Sequence, residues 1–119
     1  MAPTSASTPK PRAAARRSVR GSRSGRPIMA LLDLLGRRWT LRVLWELRDG
    51  RRSFRDLRQA CDGVSPTVLN DRLRELREAR LVDLTDGEGY GLSPLGNELL
   101  ERFLPAVAWA ERWAKAWRE

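Results

Sequence analysis

The sequence contains no histidine and only one cysteine, Cys61, among its 119 residues. Without histidine, the chain lacks the commonest metal ligand and the usual general base near neutral pH. A single cysteine also excludes an internal disulfide framework. We therefore expect no enzyme activity, no metal and no cofactor.

Long apolar runs are also missing. Residues 28–35 are apolar but are interrupted by Asp33 and followed by Arg37 and Arg38. A run this short does not predict an export signal or a membrane span. The hydrophobic content of 41% suffices for one small core. We expect one folded domain in the cytoplasm, near the nucleoid, without membrane contact.

Basic charge is in excess and unevenly placed. The chain carries 23 Lys and Arg against 15 Asp and Glu, a net charge of +8. Seven of the basic side chains and none of the acids lie in residues 1–26, and residues 37–80 hold twelve Arg against seven acids. This distribution favours a polyanionic partner. A solvated, Arg-rich face without a specific partner is the alternative.

The first 26 residues differ in composition from the rest. They are rich in Ala, Ser, Pro, Gly and Arg, and Val19 is their only branched aliphatic residue. Such a segment cannot offset the entropy of ordering, so we predict a disordered basic tail over 1–26 and a folded domain over 27–119. An arm that follows phosphates, a passive leader and an organelle transit peptide remain open interpretations of the tail.

The stretch after Asp62-Gly63 predicts a two-faced helix over residues 66–79. Ser65 suits the N-cap and Pro66 the first helical position. At about 100° per residue, leucines form one stripe and polar residues the other. The stripe contains Leu69, Leu73 and Leu76, and the polar residues include Thr67, Asn70, Asp71, Arg74, Arg77 and Glu78. A solvated surface helix would have the same periodicity, but after a short helix and a tight turn this pattern is typical of a helix that enters the DNA major groove.

The neighbouring segments complete a winged helix. We predict helices over 28–35, 38–47 and 54–61, with Trp39, Val43, Leu44 and Leu47 facing the core and Leu41 and Trp45 outside it. Residues 81–85 and 90–92 predict a hairpin, and 51–53 a third short strand. The fold class is α+β, mainly helical: a winged helix-turn-helix with a two- to three-stranded β-wing and a C-terminal dimerisation helix.

The C-terminal segment over 93–118 is strongly amphipathic. Ser93-Pro94 repeats the helix-start signal, Leu95, Leu99 and Leu100 should face inward, and Pro105 should kink or restart the helix. Further on, Trp109, Trp113 and Trp117 recur every fourth residue among alanines. A dimer interface explains these aromatics better than packing on the chain's own small core, which is the alternative.

Four motifs follow one another along the chain: GRRWTLRVL over 36–44, FRDL over 54–57, VSPTVL with RLREL over 64–76, and YGLSPLG over 90–96. Together they resemble the HxlR-type winged-helix transcriptional regulators, a bacterial group related to the MarR family. The resemblance implies a cytoplasmic homodimer, joined through its first and last helices with Leu31, Leu34 and the three C-terminal tryptophans at the interface. It also implies a pseudo-palindromic double-stranded DNA site with half-sites roughly 34 Å apart, and commonly repression.

Candidate DNA contacts follow from side-chain chemistry. Arg reads guanine, Asn reads adenine, and Asp can accept from cytosine N4, so Thr67, Asn70, Asp71 and Arg74 are the candidates for base edges. Candidates for phosphates, which position the protein without specifying sequence, are Ser65, Arg52, Arg55 and Arg77. Arg72 lies at the margin of the leucine stripe, where we expect an ion pair with an acid such as Asp56.

The chain departs from the family in three places. Where the family has an N-terminal sensor cysteine, this chain has Arg26-Pro27-Ile28, and Cys61 fits a buried core residue better than a redox thiol. The hairpin tip over 86–89 is short and acidic. Arg80 replaces the family's glycine after the reading helix, so that helix needs another cap or a strained residue.

Two other interpretations stay open. The acids Asp71, Glu78, Asp86 and Glu88 repel phosphate, so the scaffold could instead be a protein-interaction module without nucleic-acid binding. A cleft lined by Trp39, Trp45 and the C-terminal tryptophans could hold a small aromatic effector, although ordinary packing also explains those residues.

Overall fold

The computed structural model describes residues 25–119, so the predicted tail lies outside the described residues except for its last two. The chain divides after Thr40 into two units. The elements are α1 (Pro27–Leu35), α2 (Thr40–Glu46), α3 (Phe54–Ala60), α4 (Pro66–Glu78), β1 (Val82–Thr85), β2 (Gly89–Leu92), α5 (Pro94–Phe103) and α6 (Pro105–Arg118).

Serine caps start three of these helices, including the two predicted at Ser65 and Ser93. The hydroxyls of Ser53, Ser65 and Ser93 each accept a hydrogen bond from the backbone N–H three residues later. Pro66 and Pro94 occupy the next position, where a missing N–H leaves no bond unmade. These local signals therefore fix where α3, α4 and α5 begin.

The first unit contains α1 and a turn, and it corrects one prediction. The first helix ends at Leu35 as expected, with Gly36 as its C-cap. The next helix begins at Thr40 rather than at 38, and Trp39 precedes it with a φ of 80°. The Thr40 N–H donates to the Arg37 carbonyl, so a tight turn occupies the positions expected to form the first helical turn. Trp39 is therefore not a core residue of α2; it is half-buried beneath Arg38, whose Cζ lies 5.8 Å from the ring centroid.

The second unit, from Leu41 onward, has a core made largely of leucine. The leucine stripe of α4 is the centre of this core, since Leu69, Leu73 and Leu76 are each no more than 1% exposed. The other buried hydrophobic residues of the unit are Val43, Leu44, Leu47, Leu57, Cys61, Val64, Leu81 and Val82. The predicted division of α4 into a packing face and an outward face is thus confirmed.

The wing has two strands, which is the lower number of the predicted two to three. β1 and β2 pair antiparallel from Val82 opposite Leu92 to Thr85 opposite Gly89. The expected strand over 51–53 is reduced to Arg52, which exchanges two backbone hydrogen bonds with Tyr90. A Cβ on Gly89, whose φ is +88°, would lie 2.3 Å from the Arg52 carbonyl oxygen. This close approach requires glycine.

The C-terminal segment forms two helices. Pro105 restarts the helix as predicted, after Leu104 at the junction. Leu99 and Leu100 are half-buried, but Leu95 is 53% exposed and does not face inward as expected. Its neighbour Gly96 takes the buried position instead, close against the backbone of Leu81.

The end of α4 carries a strained residue, which is one of the two alternatives predicted for Arg80. Arg80 has a φ of 65°, which is a left-handed backbone conformation. A residue with a Cβ adopts this conformation at a cost of about 1 kcal/mol. Arg80→Gly should therefore raise the free energy of unfolding by about 1 kcal/mol. Urea denaturation of the two proteins would test this, and a loss of stability in the glycine variant would contradict it.

Candidate nucleic-acid interface

The outward face of α4 presents polar side chains to solvent. Thr67, Asn70, Arg74 and Arg77 are exposed, and Asp71 is half-buried. Thr67, Asp71 and Arg74 lie opposite the buried leucine stripe, and Asn70 and Arg77 lie beside them. The helix is therefore held by one face and open on the other. The four candidate base-contact residues therefore share one accessible surface.

Two of these candidates contact each other. Nη1 of Arg74 donates to Oδ1 of Asp71 at 3.0 Å. We expected the two side chains to contact separate bases and did not expect this pair, although residues three positions apart on a helix are close enough to meet. Asp71 and Arg74 must be considered as a unit.

Arg72 is paired as expected, but with a different acid. Its Nε lies 3.3 Å from Oε1 of Glu75, and the two side chains are only 16% and 20% exposed. The suggested partner Asp56 is wrong, because Glu75 is three residues away on the same helix. This arginine is a structural residue at the edge of the core.

The candidate phosphate contacts fall into two groups. Ser65, Arg55 and Arg77 are exposed, and neither arginine side chain has a hydrogen bond or an ion pair with a residue in the range 25–119. Arg52 differs, because its Nε donates to the Glu46 carbonyl at 2.8 Å and Nη2 lies 3.9 Å from Oε1 of Glu46. Arg52 thus links α2 to the hairpin. Of the four candidates, only Ser65, Arg55 and Arg77 are accessible for a phosphate contact.

An open depression of about 450 Å³ lies between α4 and β1. Two arginines of α4 line it from one side and the hairpin from the other, so charges of both signs meet there. The lining residues are Arg74, Arg77, Glu78, Val82, Asp83 and Leu84. This depression places the end of the polar face beside the wing.

Arg51 holds the hairpin, a role that the sequence did not reveal. Its Nη2 donates to Thr85 Oγ1 at 2.8 Å and to the Gly89 carbonyl at 3.1 Å, and it also hydrogen-bonds Asp83. Nε lies 3.9 Å from Glu88 Oε1. Arg51 therefore offsets part of the negative charge of the acidic wing. No local spacing signals this contact, because its partners are more than 30 residues away along the chain.

Cys61 is packed rather than presented to solvent. It is 0% exposed, and burial raises the pKa of its thiol, an effect that nearby Arg42 opposes only in part. Arg42 itself donates to Glu46 and to the Ala60 carbonyl at the end of α3. A protonated, enclosed thiol favours the interpretation of Cys61 as a core residue over a redox role.

The three tryptophans of α6 form an exposed stacked ladder. Trp109, Trp113 and Trp117 are 54%, 48% and 73% exposed. The ring centroids of Trp109 and Trp113 are 6.4 Å apart, and those of Trp113 and Trp117 are 4.8 Å apart. On α1, Leu31 and Leu34 are half-buried. Three adjacent exposed tryptophan rings are typical of a surface that associates with another molecule.

Other kinds of site are not found in the range 25–119. No helix there is both long enough and apolar enough to cross a bilayer. No group of three or more potential metal-binding side chains occurs in the same range.

A helix pair with an exposed polar second helix, followed by a β-hairpin, defines a winged helix-turn-helix protein of the kind found in transcriptional regulators. The family model for the HxlR-like helix-turn-helix matches residues 34–118. The chain therefore belongs to the HxlR-like helix-turn-helix family of DNA-binding transcriptional regulators.

Relatives agree in sequence and in structure. An uncharacterized HTH-type transcriptional regulator of Methanocaldococcus jannaschii is 33% identical over 92 residues, which cover 74% of this chain and 86% of the relative. The quinone-bound YodB of Bacillus subtilis has a TM-score of 0.66 at 28% identity, covering 71% of this chain and 94% of that one. A possible HxlR family transcriptional factor of Thermoplasma volcanium has a TM-score of 0.67 at 26% identity, covering 76% and 86%.

Proposed function

We propose that this protein is a homodimeric repressor that binds a pseudo-palindromic DNA operator in the cytoplasm, at the nucleoid, with α4 of each subunit in a major groove. The observation that carries the proposal is the accessible polar face of α4 above a fully buried leucine stripe. A helix held in this way can enter a major groove without disturbing the core.

Roles within the interface follow from exposure and chemistry. Thr67, Asn70 and Arg74 contact base edges. Asp71 is a fourth base contact under the hypothesis that it binds a base independently of Arg74. Ser65, Arg55 and Arg77 meet phosphates, whereas Arg52 acts through the fold because Glu46 holds it. Arg51 lowers the repulsion between the acidic wing and the duplex.

Dimerisation would bring two copies of α4 to the spacing of successive major grooves. The tryptophan ladder of α6 is the main apolar surface for this contact, and Leu31 and Leu34 of α1 add to it. An aromatic effector is a further candidate ligand, since exposed tryptophan rings can stack on a planar molecule. The structure of quinone-bound YodB, to which this chain is similar, supports this candidate by analogy.

The base and phosphate roles predict different effects of substitution. Arg74→Ala should weaken binding to the preferred sequence by about 1–3 kcal/mol and relax the choice at one base pair. Arg55→Ala should weaken all sequences alike, because a phosphate contact carries no sequence information. Selection of bound duplexes from a random library, followed by titration of each variant, measures both effects.

The same selection separates DNA binding from the competing role as a protein-interaction module. The acidic hairpin motivates that alternative, since Asp86 and Glu88 would repel phosphate. If the wild-type protein binds no selected duplex more tightly than random duplex across a salt series, the proposed function is wrong. A reporter gene placed behind the selected site then gives the sign of regulation.

A further inference from the structure

Arg74 is held by a carboxylate on the face of α4 that would meet DNA. Its Nη1 donates to Oδ1 of Asp71 at 3.0 Å, while the two side chains remain 56% and 37% exposed. We propose that Asp71 is a positioning residue that fixes the Arg74 guanidinium for a guanine, and that it does not read a cytosine itself. This inference rests on the proposed sequence-specific binding of duplex DNA.

The geometry leaves Arg74 able to read a base. A guanidinium has five N–H donors, and Asp71 takes one on Nη1. Neither Nε nor Nη2 donates to a residue within the part of the chain that the structure describes. These free donors can bond O6 and N7 of guanine. An arginine that is already oriented loses less rotamer freedom when it binds.

The other two arginines of α4 lack this arrangement. Arg72 is paired with Glu75 but is mostly buried, so it cannot reach a base. Arg77 is exposed but has no carboxylate bonded to it in the range 25–119. Arg74 is the one arginine of the helix that is both accessible and held, which favours it as the specific contact.

A contribution to the stability of the fold does not explain why a carboxylate is present at position 71. An exposed ion pair at this spacing contributes little to folding. A carboxylate near the phosphates also weakens attraction to any duplex. Asp71 should therefore lower affinity for random DNA while it raises discrimination by Arg74. These opposite effects distinguish a positioning residue from a general DNA contact.

The test combines substitution with base replacement. The full chain and its Asp71→Asn, Arg74→Ala and doubly substituted variants are titrated with the selected duplex and with duplexes altered at each base pair. Arg74→Ala should lose a preference of about 5- to 150-fold at one base pair. In the Asp71→Asn protein, the preference at that same base pair should fall by at least about threefold. The preference of the double variant should equal that of Arg74→Ala alone. Asp71→Asn should bind random duplex at least as tightly as the wild type.

The control is Asp56→Asn, which changes the charge equally on α3 and should keep the preference. Asp71→Ala, with circular dichroism for both variants, guards against a folding defect. A preference lost at a different base pair, or effects of the two substitutions that add in full, would show that Asp71 reads its own base. An unchanged preference in a selective protein would refute the inference alone. A wild type without any sequence preference would overturn the inference and the proposed function together.

Discussion

Replacing Trp113 by glutamate should convert the proposed dimer into a monomer and weaken binding to a duplex with two half-sites by about 10²- to 10⁴-fold. Trp113 is the middle ring of the ladder and stacks on Trp109 and Trp117. A carboxylate at this position would be buried without a partner in the dimer, so the interface should not form. Each α4 would then bind its half-site without help from the other.

Light scattering at micromolar concentration measures the mass, and fluorescence anisotropy measures the affinity for the selected duplex. Arg112→Gln is the matched control, since it lowers the net charge by the same amount at an adjacent exposed position of α6. The control should remain dimeric. If the Trp113→Glu protein is still dimeric, the tryptophan ladder is not part of the dimer interface.

Gly96→Ala should lower the free energy of unfolding by about 3 kcal/mol. Within a helix, the exchange of glycine for alanine normally stabilises by about 1 kcal/mol, so the expected sign is reversed. The reason is that a Cβ on Gly96 would lie 2.0 Å from the Leu81 carbonyl oxygen. Since this oxygen belongs to the backbone, α5 would have to move away from the hairpin.

Urea denaturation measures the change. Asn97→Ala provides the control, because Asn97 is exposed on the same helix and its replacement should leave stability within about 0.5 kcal/mol of the wild type. A Gly96→Ala protein as stable as this control would show that α5 can shift without loss.

Features set by neighbouring residues were predictable from the sequence. Each serine before a helix, and the leucine spacing in α4, acts over a few residues, so Ser65, Pro66 and the buried stripe lie where expected. Arg80 belongs to the same group, because its strain follows from the geometry of a helix end. The family motifs, which combine many such local features, gave the winged-helix fold.

Features set by contacts between distant residues were not predictable. Leu95 was expected inside, but the approach of the Leu81 backbone gives that place to Gly96. Arg51 was not identified, since its partners become neighbours only when the hairpin folds. Among the candidate site residues, the base candidates lie on one accessible face, as the helical spacing predicted. The bond from Arg52 to Glu46 was not predictable, because it depends on where the hairpin meets α2.

The hairpin begins and ends at nearly the same point. The Ser93 hydroxyl donates to the Arg80 carbonyl at 2.7 Å, and the Ser93 N–H donates to the Leu81 carbonyl at 3.0 Å. Both ends of the loop are therefore fastened below its tip, so residues can be gained or lost around Gly87 without displacing α4 or α5. Tip length and tip charge can accordingly diverge between related proteins while the two helices keep their places.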